Sequence, residues 1–215
     1  MLGQYVISDS IYSGWTSSCY STCNGQTIMG GYGCFGSGWG TYKYYDITTT
    51  HYQVSIEFDA YWIDTWDGEY LYFYVDWDIK WSQSKPGTMA QYCGGTTYDY
   101  VSTVTVGPIS HTSSTLVLYF WSSLDQGSTD ESWGFNNLKI TVWPYCATGC
   151  SACYGNLISQ CTSCSSGYYL SGSTCVTDCG AYYWNNPTGR VCSRNFYLNF
   201  HSIYTFFFSL SFFLL

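Results

Sequence analysis

Two short acidic segments carry the side chains best suited to chemistry in this 215-residue chain. Residues 63–69 read Ile-Asp-Thr-Trp-Asp-Gly-Glu, and residues 124–134 contain the runs Leu-Asp-Gln and Thr-Asp-Glu-Ser-Trp-Gly. Carboxylates crowded on loops repel one another unless a cation or water separates them, and calcium takes about six to eight oxygen ligands of this kind. The candidate calcium ligands are Asp64, Asp67, Glu69, Asp125, Asp130 and Glu131.

The calcium hypothesis requires the two segments, which are far apart in the sequence, to meet in the folded chain. The plain alternative is a pair of solvated turns in which Asp side chains bond their own backbone. Two of these acids could also serve as the acid and the nucleophile of a glycosidase. No pattern in the sequence identifies a substrate cleft, so this enzymatic interpretation is not favoured.

Eight cysteines crowd into residues 146–192, and the middle of this array reads C-x2-C-x7-C-x2-C. Paired C-x2-C units can bind zinc. Zinc ribbons usually separate the pairs by about 15–20 residues, and no Lys or Arg lies between Lys139 and Arg190, so disulfides are favoured. Sequence alone leaves the connectivity open. The bridges that we expect are Cys146–Cys153, Cys150–Cys161, Cys164–Cys175 and Cys179–Cys192.

Four further cysteines, Cys19, Cys23, Cys34 and Cys93, precede the array. We expect two bridges among them, one of which links the N-terminal segment to Cys93 through a partner that the sequence leaves open. So many cysteines favour an oxidising location, either extracellular or at the cell surface. The N-terminus nevertheless lacks the basic and apolar regions of a signal peptide. The simplest resolution is that the chain is a fragment or begins at a misplaced start.

Alternating apolar residues between the cysteines predict β-structure. Residues 52–62 and 71–81 both alternate with a period of two, and residues 64–68 between them are rich in Asp and Gly, which predicts a hairpin. Further strands are expected at residues 41–47, 98–106, 115–121 and 137–143. So many antiparallel strands predict an all-β fold, an antiparallel β-sandwich of jelly-roll type. The array that follows predicts a small disulfide-rich module.

The charge pattern excludes several classes of partner. The chain carries 14 acids against six Lys and Arg, for a net charge of −8. Nucleic acids and anionic lipid surfaces attract clustered Lys and Arg, so neither is an expected partner. Exposed Trp and Tyr, whose faces are apolar and whose edges are polar, could instead stack on sugar rings.

Residues 196–215 are mostly apolar and contain no Asp, Glu, Lys or Arg. Twenty such residues are just long enough to span a bilayer. Three interpretations remain open. The segment is a C-terminal membrane anchor, a lipid-anchor signal whose polar spacer is short, or a translation artefact of noncoding sequence.

Several motifs resemble known families. Residues 146–192 resemble a furin-like, growth-factor-receptor-type cysteine-rich repeat, of the kind stacked in large surface proteins of single-celled eukaryotes. The motifs that carry this resemblance are Cys150-Ser-Ala-Cys153, Cys161-Thr-Ser-Cys164, Gly167-Tyr168-Tyr169-Leu170 and Cys175-Val-Thr-Asp-Cys179. The absent leader and the single short array suggest a truncated member.

Residues 14–143 resemble the β-sandwich module that often precedes such repeats, and more distantly MAM or galactose-binding-like jelly rolls, some of which hold calcium. The motifs that carry it are Gly30-Gly31-Tyr32, His51-Tyr52, Trp81-Ser82-Gln83, Cys93-Gly94 and the two acidic segments. The resemblance implies architecture and location, and it implies no established activity.

These observations predict three regions: a jelly-roll-like β-sandwich at residues 12–144, a furin-like repeat at 146–192 and a hydrophobic tail at 196–215. The expected function is a non-enzymatic extracellular or cell-surface module, stabilised by calcium, that binds a glycan or a surface protein. The alternatives are a structural coat or spacer segment of a larger surface protein, and a polysaccharide-acting enzyme.

Overall fold

A computed structural model describes residues 4–9, 13–95 and 97–194. Within these ranges the regular structure consists of β-strands and one short 3-10 turn, Ile158–Gln160. The chain divides into two compact units, Tyr5–Trp143 and a cysteine-rich unit that begins at Pro144. We call the first unit the sandwich and the second the cysteine-rich unit. The sandwich begins before residue 12 because an N-terminal strand pairs with one of its longest strands.

The described residues of the sandwich form ten strands in two antiparallel sheets, in agreement with an all-β jelly-roll fold. Their bounds are β1 Tyr5–Ser8, β2 Tyr20–Cys23, β3 Gln26–Gly30, β4 Gly40–Asp46, β5 His51–Asp64, β6 Tyr70–Val75, β7 Asp78–Ser84, β8 Tyr100–Ser110, β9 Thr115–Ser122 and β10 Glu131–Pro144. The first sheet has the order β2-β3-β10-β5-β8, with β1 also paired to β10. The second sheet has the order β4-β9-β6-β7.

The first predicted strand is confirmed in β5. Its alternate side chains all point into the core and have no exposed surface: Val54, Ile56, Phe58, Ala60 and Trp62. A strand with one face buried against another sheet shows this period because successive side chains point to opposite faces. Four other predicted strands also form, as parts of β4, β8, β9 and β10.

The predicted hairpin is wrong in two respects. Residues 71–81 form two strands rather than one, because Asp76 and Trp77 have φ values of +52° and +69° and turn the chain between β6 and β7. Strands β5 and β6 also lie in different sheets, so the segment that joins them crosses from one sheet to the other. The alternation continues through the turn, which is why periodicity alone did not locate it.

The core between the two sheets is aromatic. Phe120 of β9 stacks on Phe135 of β10 with 4.0 Å between ring centroids. Phe73 and Phe58 contact Phe120 at 4.7 and 4.9 Å, and Trp133 is also fully buried. Burying one such side chain contributes about 1.5–3 kcal/mol, so this cluster carries much of the stability of the sandwich.

The cysteine-rich unit has six short strands: β11 Cys150–Cys153, β12 Cys161–Cys164, β13 Tyr169–Ser171, β14 Thr174–Val176, β15 Tyr183–Asn186 and β16 Val191–Arg194. Strands β11 and β12 form one small sheet, and the order β14-β13-β16-β15 forms another. The buried cluster of this unit is mainly sulfur, from Cys161, Cys164 and Cys175, with Tyr168 and Leu170 packed against it.

All 12 cysteines are paired in the structure. Within the cysteine-rich unit the bridges are the four that we expected: Cys146–Cys153, Cys150–Cys161, Cys164–Cys175 and Cys179–Cys192. In the sandwich, Cys93 is bonded to Cys23, which settles the partner that the sequence left open, and Cys19 is bonded to Cys34.

The predicted hydrophobic tail, residues 196–215, lies outside the described residues. In the part of the chain that the structure does describe, no helix is long and apolar enough to cross a bilayer.

Candidate functional site

The two acidic segments meet at one end of the sandwich. Thr65, just after β5, donates from its backbone N–H to the carbonyl oxygen of Asp130 at 3.3 Å, and its Oγ1 lies 2.9 Å from both this oxygen and Asp130 Oδ1. Trp66 Nε1 donates to the carbonyl oxygen of Ser132 at 3.0 Å. The convergence that a shared calcium site requires is therefore present in the fold.

Three carboxylates face one another where the segments meet. Oxygen atoms of Asp67, Glu69 and Glu131 all lie within 4.8 Å of one another. We call this group the carboxylate cluster. Glu131 opens strand β10, is completely buried, and neither of its carboxylate oxygens has a hydrogen-bond partner among the described residues. A buried carboxylate without a donor or a counter-charge costs several kcal/mol.

The electrostatics of Glu131 follow from this crowding. Burial raises the pKa of Glu131 to about 7, and the charges of nearby carboxylates add to the rise, in the order Glu69, Asp125, Asp67 and Asp130. Without a cation, the side chain therefore resists ionisation at neutral pH. A bound divalent cation would reverse that preference, because its charge favours the ionised form.

The pKa values of Asp67 and Glu69 shift in opposite directions. A hydrogen bond to Glu69 and the charge of Glu69 raise the pKa of Asp67. Partial burial raises the pKa of Glu69, but hydrogen bonds outweigh it and hold the pKa below its usual range. Two of these donors are the backbone N–H groups of Asp67 and Gly68, at 2.9 and 3.1 Å from Glu69 Oε2. Glu69 is thus the member that stays ionised without help.

The cluster fits a hard cation. Calcium prefers carboxylate and carbonyl oxygens on adaptable loops, and the two segments supply three carboxylates at one point. The feature that favours a cation is Glu131, because a buried carboxyl group with two unpartnered oxygens either holds a proton or needs a positive partner. When bound, calcium would supply that charge and would tie β10 to the corner between β5 and β6.

The other three predicted ligands have different surroundings. Asp125 and Asp130 lie near enough to act on Glu131 through their charges, and Asp130 is also held by Thr65. Asp64 is not part of the carboxylate cluster. Its Oδ1 accepts hydrogen bonds from the N–H and the Oγ1 of Thr97, both at 3.1 Å. The predicted grouping of Asp64 with the others is therefore not what the fold produces, because β5 carries it toward the loop after Cys93.

Sequence analysis did not single out Asp99, which organises that loop. Asp99 is completely buried. Its Oδ1 accepts from the N–H of Asp64 at 3.1 Å, and its Oδ2 accepts from the N–H groups of Tyr92 and Cys93 at 2.6 and 2.9 Å. This role is structural, and no motif in the sequence marks it.

A second feature lies on the outer surface of the second sheet. Side chains that point away from the core form one continuous set of ring contacts, which we call the aromatic face: Tyr42 and Tyr44 of β4, Tyr70, Tyr72 and Tyr74 of β6, Trp77 of the following turn, and Tyr119 and Trp121 of β9. Strand register produces this set, because Tyr42 and Tyr74 both lie opposite Tyr119, and Tyr72 lies opposite Trp121.

Much of the aromatic face is open to solvent. Tyr44 is 56% exposed, Trp77 is 52% exposed and Tyr70 is 44% exposed. Tyr72 and Trp121 lie 5.4 Å apart between ring centroids, and Tyr74 and Tyr119 lie 5.0 Å apart. Connected exposed aromatic surface of this kind marks a binding site more often than not, since burying it is favourable. The signal in the sequence was the alternation of Tyr70, Tyr72 and Tyr74 with apolar residues whose side chains point into the core.

A recess of about 430 Å³ opens at one end of the aromatic face. Its lining consists of Thr16, Ser17, Gly38, Gly40, Tyr42, Trp77, Tyr119 and Trp121. Volumes of this size are typical of sites that take a small ligand or one unit of a longer one.

Comparisons with known proteins give limited information about relationship. No family model matches the chain. Cysteine repeat modular protein 2 of Tetrahymena thermophila is 33% identical over 112 residues, which is 49% of this chain and 6% of that protein. The chain therefore spans a small part of the curated relative that it matches, and it is similar to a cysteine-repeat protein over about half of its own length.

Three solved structures of carbohydrate-binding modules align with part of this chain at low similarity. A CBM36 domain of a xylanase from the hindgut metagenome of Trinervitermes trinervoides has 12% identity and a TM-score of 0.36, with 64% of this chain and 96% of that chain covered. A CBM6 domain of a laminarinase from Zobellia galactanivorans has 16% identity and a TM-score of 0.38, with 65% and 99% covered. A xylan-binding CBM22 domain from Paenibacillus barcinonensis has 13% identity and a TM-score of 0.38, with 68% and 99% covered.

Proposed function

We propose that this chain is a non-catalytic, extracellular or cell-surface module that binds a glycan through the aromatic face. The observation that carries the proposal is the connected set of exposed Tyr and Trp rings on the second sheet. An aromatic ring offers an apolar face to the C–H groups of a sugar, and Tyr and Trp add a polar edge that can hydrogen-bond its hydroxyls. A glycan satisfies both properties along an extended surface.

The extracellular location is supported by the six disulfides. Reducing compartments do not sustain bridges of this number in a chain of this size. The cysteine-rich unit would space the sandwich from whatever it is attached to, and a membrane anchor at residues 196–215 stays a prediction.

Calcium is the second part of the proposal. We expect it at the carboxylate cluster, with Glu131, Glu69 and Asp67 as ligands and with Asp125 and Asp130 as nearby charges. The role of calcium in this proposal is structural. It would neutralise a buried carboxylate and tie the two acidic segments together, and would leave sugar binding to the aromatic face.

Neither alternative is favoured by a specific contact. A polysaccharide-acting enzyme would need an acid that reaches the glycosidic oxygen, and Glu131, whose raised pKa would suit that role, is completely buried. A pure spacer would have no reason to carry eight connected aromatic rings on one sheet surface, with Tyr44, Tyr70 and Trp77 exposed, because such a surface promotes aggregation unless a partner covers it.

The test is binding of the purified chain to a panel of soluble and insoluble polysaccharides. Trp121→Ala and Tyr72→Ala should each weaken the binding about tenfold, equivalent to about 1.4 kcal/mol. Tyr98→Ala is the matched control, since Tyr98 is 60% exposed and lies outside the aromatic face. Failure of the unaltered chain to bind any glycan, or equal binding by all three variants, would refute the proposal.

A further inference from the structure

The recess beside Gly40 differs from the rest of the aromatic face in its concave shape. We propose that it seats one uncharged sugar unit of the glycan, so that the module selects neutral polysaccharides, and that Gly40 and Trp77 determine this specificity. The inference rests on the proposed function, and it adds the class of ligand and the residues that choose it.

One wall of the recess is held rigidly. The N–H of Thr16 donates to the carbonyl oxygen of Tyr42 at 3.0 Å, and the N–H of Tyr42 donates to Thr16 Oγ1 at 3.1 Å. Thr41 Oγ1 accepts from the N–H of Ser17 at 3.2 Å and donates to the carbonyl oxygen of Ser17 at 2.9 Å. These four hydrogen bonds fix the segment against β4, so a ligand meets a preformed wall and does not have to order it.

Gly40 keeps the recess open. A Cβ atom at this position would lie 2.9 Å from Cε2 and Oη of Tyr119, which is closer than such atoms approach, and 3.1 Å from Cδ1 of Trp121, which is a tight contact. The backbone of Gly40 does not adopt a positive φ, so its conformation would accept any residue. The lack of a side chain is therefore needed for space alone. A methyl group there would displace the Tyr119 ring, which also contacts Tyr74 and Trp77.

The opposite wall is an exposed ring on a strained turn. Trp77 has a φ of +69° and is 52% exposed. Its ring contacts Tyr42 at 5.2 Å and Tyr119 at 5.7 Å between centroids. A bulky residue rarely adopts this backbone conformation, and solvent exposure gives no folding reason for a Trp here. The positive φ of Trp77 therefore holds a large apolar ring at the edge of the recess.

The charge of the surroundings selects the ligand. Among the described residues, no charged side chain lines the recess, and Asp76 and Asp78 flank Trp77 in the sequence. All four lysines of the sandwich already have partners. Three form ion pairs, which are Lys43–Asp9, Lys80–Asp78 and Lys139–Glu57. The fourth, Lys85, donates hydrogen bonds to the carbonyl oxygens of Asp64 and Tyr98. A carboxylate or sulfate on a sugar would lose its hydration there and would gain no cation.

The experiment measures affinity by calorimetry or affinity electrophoresis for two matched panels. One contains soluble neutral glucans, mannans, xylans and galactans, and the other contains polygalacturonate, alginate and a sulfated galactan. The unaltered chain should bind at least one neutral polymer at least tenfold more tightly than every acidic polymer. Tight binding to an acidic polymer, with weak binding to the neutral ones, would overturn the inference and leave glycan binding itself intact.

Gly40→Ala should weaken binding to the neutral polymer at least tenfold. Gly87→Ala is the matched control, because a Cβ at Gly87 meets nothing within 4 Å and its φ is also not positive. If Gly40→Ala fails to fold, Trp77→Asn replaces it, since Asn tolerates positive φ and the site is exposed. It should weaken binding by a similar factor while the melting temperature is kept.

The possible results separate the two proposals. Equal binding by Gly40→Ala, Trp77→Asn and the unaltered chain would overturn the inference, while Trp121→Ala would still report on the aromatic face. No glycan binding together with a concentration-dependent dimer that Trp77→Asn disrupts would overturn both, and would make the aromatic face an interface between copies of this chain.

Discussion

The sandwich and the cysteine-rich unit reach a fixed fold by different means. The centre of the sandwich is a cluster of buried aromatic rings around Phe120 and Phe135. The centre of the cysteine-rich unit is disulfide sulfur from Cys161, Cys164 and Cys175. A short chain cannot bury enough apolar surface to offset its conformational entropy, so covalent bridges take the place of a core.

This difference changes what a disulfide does. Two bridges in the sandwich add to a fold that already has a core, whereas four bridges in the cysteine-rich unit are the main reason that its strands hold together. Function follows the same division. The aromatic face and the carboxylate cluster both consist of residues of the sandwich.

The largest expected effect comes from removing one bridge in each unit. Cys164–Cys175 and Cys19–Cys34 close loops of similar length, with sequence separations of 11 and 15, so each contributes about 3 kcal/mol by chain entropy. Replacing the first pair by Ala should remove the hydrogen-exchange protection of β13 and β14. Replacing the second pair should lower the stability of the sandwich and leave its sheets protected. Hydrogen exchange measured by mass spectrometry reports on both units. Equal loss of protection in the two units would contradict the view that only the cysteine-rich unit depends on its bridges for its fold.

A loss of stability without local unfolding is expected from a cavity in the aromatic core. Phe120→Ala should lower the free energy of unfolding of the sandwich by about 3–5 kcal/mol, because it removes ring contacts with Phe135, Phe73 and Phe58. Denaturant titration measures it, with Ile79→Ala as the control, since Ile79 is 55% exposed and its loss should cost less than about 0.5 kcal/mol. A loss no greater than that of the control would mean that the core is not what stabilises the sandwich.

Calcium should stabilise the sandwich by an intermediate amount. At a calcium concentration about 100 times the Kd, the gain is about 2.7 kcal/mol and appears as a raised Tm. Glu131→Gln should abolish this gain and should raise the Tm in EDTA, because it removes a buried unpartnered charge.

Asp64→Asn is the matched control for the calcium site. It lowers the starting stability by weakening the bonds to Thr97, but it should keep the calcium-dependent gain because Asp64 lies outside the carboxylate cluster. An unchanged melting curve of the unaltered chain in millimolar calcium, or loss of the gain in Asp64→Asn, would contradict the site as described.

The smallest effect is a pH dependence confined to the sandwich. Burial lowers the pKa of His111 below its usual value of 6.5, although Asp76 opposes the shift. The unfolded chain therefore binds more protons than the folded one below about pH 6.5, and stability should fall as the pH drops through that value.

The measurement is the Tm between pH 7.5 and 5.5 in the Glu131→Gln background, because the Glu131 carboxyl titrates in the same range with the opposite sign. His111→Gln should flatten the profile of the sandwich. Residues 144–194 contain no histidine, so hydrogen exchange in the cysteine-rich unit should not change over this range. A profile that steepens in His111→Gln would show that the sign is wrong.

Local patterns were predictable where local physics decides them. The alternation from Val54 to Trp62 identified β5 because a strand buried on one face must repeat every two residues. Two bridges of the cysteine-rich unit, Cys164–Cys175 and Cys179–Cys192, join consecutive cysteines across short loops, which favours their pairing. The interleaved bridges Cys146–Cys153 and Cys150–Cys161 were the pairing expected for the remaining four cysteines. Periodicity failed to locate the turn at Asp76 and Trp77, because a two-residue turn leaves the alternation of apolar residues intact while it reverses the chain.

The site was predictable only in part. The acidic segments were recognisable as loops rich in oxygen ligands, but the sequence did not reveal that Glu131 is buried without a partner or that Asp64 binds Thr97. Burial depends on which strands pack together, and that depends on contacts between residues far apart in the chain. The aromatic face has the same origin, since β4, β9 and β6 are adjacent in the sheet without being consecutive in sequence.

By itself, the sequence determined the all-β class, the division between a sandwich and a bridge-held unit, and the residue types available for chemistry, because composition, period and cysteine spacing act over short distances. The tertiary structure alone decided which carboxylates meet, which tyrosines share a face, and that Gly40 leaves room for a recess. Sheet register sets those distances, and register is fixed by the packing of the whole sandwich rather than by any single segment.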